Sequence, residues 1–238
     1  MEARLQRTWK LIGPEALEKL AHSHVLLFGV GGVGSFTAEA LVRAGIGHLT
    51  LVDNDVVDVT NINRQLPALQ TTVGRLKAEV MQERLLSIAP EIEVQIRTSR
   101  YAPEKADDFL NQPWDYVIDA IDDVPAKISL AVETYRRGLS FISSMGAGNK
   151  LDPTRFEVAD IYETKVCPLA RVMRKAMRER GVPHLQVVYS QEVPCKPLPL
   201  PDASAETGMK QPPASISFVP SVAGLILASV IVRKLAEL

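Results

Sequence analysis

A glycine-rich turn, a run of acids and amides and a few isolated cations are the residues of this chain whose types and spacing suit chemistry. In Gly29-Val30-Gly31-Gly32-Val33-Gly34, Gly29, Gly31 and Gly34 match the G-x-G-x-x-G pattern of nucleotide sites, with Gly32 an extra glycine inside it. Glycine there lets the chain turn tightly and lets a nucleotide approach bare backbone N–H groups. Asp53 stands where a carboxylate takes hydrogen bonds from a ribose diol. Beyond it, Asp53-Asn54-Asp55-Val56-Val57-Asp58-Val59-Thr60-Asn61-Ile62-Asn63-Arg64-Gln65 is too rich in Asp and Asn for a strand. A plain solvated loop has no use for acids, amides and an arginine packed together directly after a nucleotide fingerprint. Asp119-Ala120-Ile121-Asp122-Asp123 is a second group of acids. A carboxylate beside polyphosphate suits a hard cation that takes oxygen ligands, so Asp119 is expected to hold Mg²⁺, with Asp122 or Asp123 left to cap the next helix.

These residues need elements to position them. Residues 25–28 are a short apolar run of buried-strand type, residues 35–44 read as a helix, and residues 49–52 form a second strand ending at Asp53. That strand–turn–helix–strand order is the context the glycine pattern requires, and the helix start offers its unpaired N–H groups to an anion. Residues 72–89 read as a helix capped by Thr72, with Lys77 one turn in; taken alone, Lys77 is an ordinary surface lysine. Residues 92–96 alternate as a third strand, residues 103–110 form a short helix, and residues 115–119 a buried strand ending in acids. Ligands of open α/β sheets sit beyond the carboxyl ends of the strands, so Asp119 and Asp53 are expected at one crevice.

A helix over 124–137, a strand over 139–145 and a glycine pair at Gly146 and Gly148 complete this first half. From Lys150 the composition shifts: a strand over 155–161, a basic helix over 168–180, a strand over 185–190, a proline-rich stretch over 195–213 and an apolar helix over 219–238. The proline-rich stretch is too long for a routine connection and reads as a disordered segment or a functional lid. The basic helix carries Arg171, Arg174, Lys175, Arg178 and Arg180 against Glu179 alone. It is either a solvated face or a local phosphate-contacting patch. The expected fold is a Rossmann-like, doubly wound, mostly parallel α/β sheet with helices on both faces and a C-terminal extension. Residues 1–150 would form a nucleotide-binding core with an N-terminal arm, and residues 151–238 would pack on it as part of one structural domain.

Composition sets bounds on this. An apolar share of 46% is enough for a full core, and a net charge of −1 announces neither nucleic acid nor membrane through a global field. Two cysteines, Cys167 and Cys195, make neither a disulfide framework nor paired C-x-x-C zinc sites. The late apolar stretch over 222–232 is short of the roughly 20 residues that span a bilayer. No secretory signal is visible at the start, so a cytoplasmic enzyme is expected.

Taken together, Gly29-x-Gly31-Gly32-x-Gly34, Asp53-x-Asp55, Asn61-x-x-Arg64-Gln65, Lys77 and Asp119-x-x-Asp122 resemble the ubiquitin-activating-like adenylating superfamily, in its order and close to its spacing. The resemblance implies ATP bound with Asp53 on the ribose and Asn61, Arg64, Gln65 and Lys77 on the phosphates, with Asp55 and Asp122 in the same site. Asp119 would hold Mg²⁺, and Arg4 would match the arginine that reaches the ATP of the other subunit in a homodimer. Within the superfamily the chain is most similar to the tRNA threonylcarbamoyladenosine dehydratases, through residues 53–65 and 117–122, Gly146-Ala147-Gly148 followed by Asp152-Pro153-Thr154, and Cys167-Pro168-Leu169-Ala170 at the head of the basic helix. That implies ATP-dependent closure of the threonylcarbamoyl side chain of a tRNA into a ring. Arg171, Arg174, Lys175 and Arg178 would grip the tRNA, and a sulfur-transfer protein is a further candidate partner. Some relatives carry a cysteine ahead of the last helix; here Pro213-Ala214-Ser215-Ile216-Ser217 has no thiol, so a thioester there is not expected. The alternative is adenylation of the C-terminus of a ubiquitin-like or sulfur-carrier protein. A nicotinamide-dependent oxidoreductase would use the glycines and Asp53 but leave Asn61, Arg64, Gln65 and Lys77 idle, and a scaffold with a degenerate site would leave all of them idle.

Overall fold

The computed structural model describes residues 2–198 and 213–238. Most of the 195–213 stretch therefore lies outside the described residues. Seven strands form one sheet: β1 (His24–Phe28), β2 (His48–Val52), β3 (Glu93–Arg97), β4 (Tyr116–Asp119), β5 (Phe141–Ser144), β6 (Phe156–Asp160) and β7 (Gln186–Ser190). Their order is β3-β2-β1-β4-β5-β7-β6, parallel throughout except for the antiparallel edge pair of β6 and β7. The chain leaves β1 for β2 on one side and later returns to β4 on the other, which splits the connections there and opens a crevice at the strand ends.

The alternation of side chains in β1 decides which helices cover which face. Val25 and Leu27 pack with Leu49 and Leu51 of β2 into a core shared by α1 (Gln6–His22), α2 (Gly34–Ala44), α3 (Lys77–Ile88) and α7 (Phe218–Leu235). Leu26 and Phe28 point the other way, against Tyr101, Phe109 and Trp114 and the helices α4 (Ala106–Leu110) and α5 (Val124–Arg136). The second face continues as a cluster built on Met173 and Met177 of α6 (Pro168–Glu179) with Val187 and Tyr189 of β7. Strands buried on both faces read as continuous apolar runs, as residues 25–28 do.

One helix differs in extent from expectation. The third begins at Lys77, not Thr72. Gly74 has φ +88°, Val56 and Leu76 form an isolated antiparallel bridge, and Thr72 donates its hydroxyl to the Pro67 carbonyl at 2.6 Å instead of capping a helix. The N-terminal arm is itself helical: a 3₁₀ turn at Ala3–Leu5 leads into α1, which breaks at Gly13 (φ +81°) before Pro14. The last helix, α7, is the only one among the described residues long and apolar enough to cross a membrane. It lies against α2, with Val219, Ala223, Leu227 and Ile231 buried. Contact is closest at Gly224, where an added Cβ would stand 2.3 Å from the Val33 carbonyl oxygen, and Thr37 donates its hydroxyl to the Gly224 carbonyl at 3.0 Å.

Candidate functional site: a crevice at the strand ends

Phe28 of β1 is in register with Val52 of β2 and with Asp119 of β4, so the three strands end level. The next residue of each chain segment, Gly29, Asp53 and Ala120, therefore meets its neighbours at one rim. At Gly34, which opens α2, a Cβ would lie 1.8 Å from the Gly29 carbonyl oxygen, so the turn cannot close with any larger residue. Asp53 is buried with both carboxylate oxygens engaged: Oδ2 accepts from the N–H of Val30 in the glycine turn at 2.7 Å, and Oδ1 from the N–H of Asp55 at 2.9 Å. Burial pushes its pKa above the ordinary carboxylate value, against the pull of those two N–H groups and the Lys77 charge.

The polar run past Asp53 folds back over the glycines. Asp58 caps a 3₁₀ turn at Val59–Asn61, accepting from Thr60, while Asn61 returns its side-chain oxygen to the Asp58 N–H. The Ser35 hydroxyl oxygen accepts from the Leu66 N–H and fastens this segment to the start of α2. Arg64 then lies beside Gly32 and Gln65 beside Gly31. Arg64 donates to the Thr60 carbonyl at 3.0 Å and to the Asn63 amide oxygen at 2.9 Å. Gln65 is 91% buried by its 9% exposure, and its Oε1 accepts from no group among the described residues. A buried acceptor without a donor, beside a bare glycine turn, is what a site awaiting a ligand with N–H or O–H groups presents.

Lys77 starts α3, where it is buried in spite of its charge, and its ammonium reaches Asp55 Oδ2 at 2.8 Å. Asp55 itself is 61% exposed at the side chain, so the pair closes the crevice from its solvent side. Asp53, Asp55, Asn61, Arg64, Gln65 and Lys77 are thus gathered around Gly29, Gly31, Gly32 and Gly34.

The acids after β4 divide otherwise than expected. Asp119 is fully buried, and Lys127 of α5, equally buried, holds its Oδ2 at 2.8 Å. The Ser143 hydroxyl donates to the same oxygen at 2.5 Å, and Oδ1 takes the Ile121 N–H at 3.1 Å. With both oxygens engaged and a cation in contact, the carboxylate does not fit the role of metal ligand expected of it. Asp123 caps α5 through the Ala126 N–H. Asp122 is exposed and joins no hydrogen bond or ion pair among the described residues. Lys127 was not legible as part of this arrangement, although it falls in line with Leu130, Ala131 and Thr134 on the buried face of α5. A lysine inside an apolar stripe is the signal that it must have a buried partner.

Two groups stand elsewhere. Arg4 contacts Glu91, just ahead of β3, and donates to the Val42 carbonyl at 3.1 Å near the end of α2, so it lies at the amino ends of the strands, away from the crevice of its own chain. On α6, Arg174 is turned inward and donates to the Thr164 carbonyl at 2.6 Å and hydroxyl at 2.7 Å. Arg171, Lys175 and Arg178 remain exposed, with Arg178 stacked over the Tyr162 ring at 5.4 Å.

Comparison with known proteins agrees with this fold. The ThiF family matches residues 3–238. A tRNA threonylcarbamoyladenosine dehydratase of Bacillus subtilis is 47% identical over 235 residues, covering 95% of this chain and 92% of that protein. The Escherichia coli tRNA N6-threonylcarbamoyladenosine dehydratase, in its crystal structure with ATP, superposes with a TM-score of 0.89 at 34% identity, covering 98% of this chain and 94% of the other. A sulfur carrier protein adenylyltransferase of Thermus thermophilus is 37% identical over only 116 residues, 49% of this chain. The two dehydratases are thus matched over 95–98% of this chain, and the adenylyltransferase over about half of it. The chain belongs to the ThiF family, in its tRNA threonylcarbamoyladenosine dehydratase branch.

Proposed function

We propose that this protein is a cytoplasmic, ATP-dependent enzyme that dehydrates threonylcarbamoyladenosine in tRNA to its cyclic form. The observation that carries it is the ring of Asp53, Arg64, Gln65 and Lys77 around a bare glycine turn, in a chain matched over 95% of its length by a named dehydratase. The unpartnered Gln65 Oε1 would accept from a ribose or adenine donor of ATP, while the Nε2 of the same amide would donate to a phosphate oxygen. Asp53 would serve the ribose, and Asn61, Arg64, Gln65 and Lys77 the phosphates, with Lys77 exchanging Asp55 for a phosphate oxygen.

A carboxylate is a poor electrophile because its oxygen leaves badly. Transfer of an adenylyl or phosphoryl group from ATP to the side-chain carboxylate, with pyrophosphate or ADP leaving, makes that oxygen a good leaving group, while Arg64 and Lys77 offset the charge on the phosphates. The carbamoyl nitrogen of the same side chain then attacks the activated carbonyl and loses its proton to solvent, AMP or phosphate departs with the carboxylate oxygen, and the nucleoside is lighter by one water. Ring closure within one molecule has a large effective concentration and needs no protein nucleophile. Pro213 through Ser217, without a thiol, are consistent with that.

For Mg²⁺ the assignment moves from Asp119 to Asp122. A single free carboxylate fits an ion that is commonly held by one or two carboxylates plus substrate phosphates, and when bound it would supply further charge stabilisation at the phosphates. The exposed cations of α6, within the 151–238 extension, would contact tRNA phosphates beside the nucleotide-binding 1–150 core. The proposed assembly is a homodimer. It would give Arg4 its use, since that side chain reaches no nucleotide in its own subunit. Incubation with threonylcarbamoyladenosine-bearing tRNA and Mg-ATP, followed by mass analysis of the digested nucleosides, should show a product lighter by one water. ATP consumption with no such product, but with adenylate on the C-terminal glycine of a carrier protein, would replace this reading by the carrier-activating one.

A further inference from the structure

We infer that Lys127 is a positioning residue for the nucleotide crevice: its buried ammonium holds the Asp119–Asp122 turn in the shape that forms one wall of the site. The inference rests on nucleotide binding beyond β1 and β4, as proposed above. Lys127 has no exposed surface, and its Nζ bridges two parts of that turn, the Asp119 carboxylate at 2.8 Å and the Ile121 carbonyl at 3.0 Å. The turn in turn abuts the glycines. An added Cβ at Gly29 would stand 2.8 Å from the Ala120 carbonyl oxygen and 3.1 Å from Ile121 Cγ2, and one at Gly34 would stand 3.3 Å from Ala120 Cβ. Asp122 follows directly, free at the surface.

Stability alone gives little reason for this pair. The cost of removing an ammonium and a carboxylate from water roughly cancels their attraction, so two apolar side chains of similar volume would serve the fold as well. What an apolar pair cannot do is fix the direction of the Ile121 carbonyl and the Asp119 carboxylate at once, because only a donor with several N–H bonds joins both. Removal of one partner is a poor test, since the other charge would be stranded.

The test is the doubly neutral variant Lys127→Met with Asp119→Asn, titrated with ATP by calorimetry with and without Mg²⁺ and melted in parallel. The expected result is a melting temperature close to that of the unaltered protein, ATP affinity weaker by about tenfold or more, and a KM for ATP raised with little change in kcat. Unaltered ATP affinity in a cooperatively folded variant would overturn the inference and leave Lys127 a purely structural residue. Should the double variant not fold, Lys127→Arg, which keeps the charge and changes the reach, is judged by the same two outcomes. If the unaltered protein takes up no ATP in the same titration, it is the proposed function that fails and this inference with it, whereas an ATP-binding parent with an indifferent variant sinks the inference alone.

Discussion

A carboxylate can serve a metal only if its oxygens are not already committed. Asp119 and Asp122 are three residues apart and chemically identical, yet burial and hydrogen bonding commit the first and leave the second free at the surface. Asp119→Asn strands the Lys127 ammonium in the core and is expected to lower stability by about 3–5 kcal/mol. Asp122→Ala is expected to leave melting unchanged and to raise the Mg²⁺ concentration needed for half-maximal activity by about tenfold or more. Melting curves and a Mg²⁺ titration of ring formation measure both. An Asp119→Asn protein that melts normally but demands more Mg²⁺ would return the metal to Asp119. The acids, glycines and amides of the crevice were all legible in the sequence, because each type has a narrow chemical use; the division of labour among the acids was not, since it depends on a lysine eight positions further along the chain.

At the scale of the element, α7 is held to α2 by an approach that only glycine permits. The Thr37–Gly224 bond and the closeness of Val33 to Gly224 bring the last helix onto the helix that follows the glycine turn. Gly224→Ala would force the two apart, at a cost of about 2 kcal/mol for an overpacked contact, or a fall of about 4–8 °C in Tm for a chain of this size. A thermal melt decides it, and an unchanged Tm would mean that α7 shifts without strain. Helix existence was readable from periodicity. The start of α3 was not: residues 72–76 have helical spacing, but Gly74 and the Val56–Leu76 bridge hold them in a turn that sets Lys77 at the first helical position.

For the molecule as a whole, the net charge of −1 conceals a basic face on α6. Replacing Arg171, Lys175 and Arg178 together by alanine should weaken tRNA binding and flatten its dependence on salt, by about 0.7–0.9 in the logarithmic slope for each lost phosphate contact. ATP binding should stay as it was. Filter binding across a salt series, with a parallel ATP titration, reads both effects; an unaltered slope would put the tRNA on another face. Arg174 is left out of that set because it secures Thr164, and its loss would loosen the segment ahead of the helix.

By itself the sequence determined the kind of sheet, the place of the glycine turn and the residue types that meet there, because strand runs, glycine spacing and capping act over a few neighbouring residues. Only the tertiary structure decided which carboxylate is spent on Lys127, which arginine of α6 faces inward, and that Arg4 lies at the far end of the strands from the crevice. Those outcomes follow from contacts between segments distant in the chain, where burial makes each charge seek a partner that local spacing does not name.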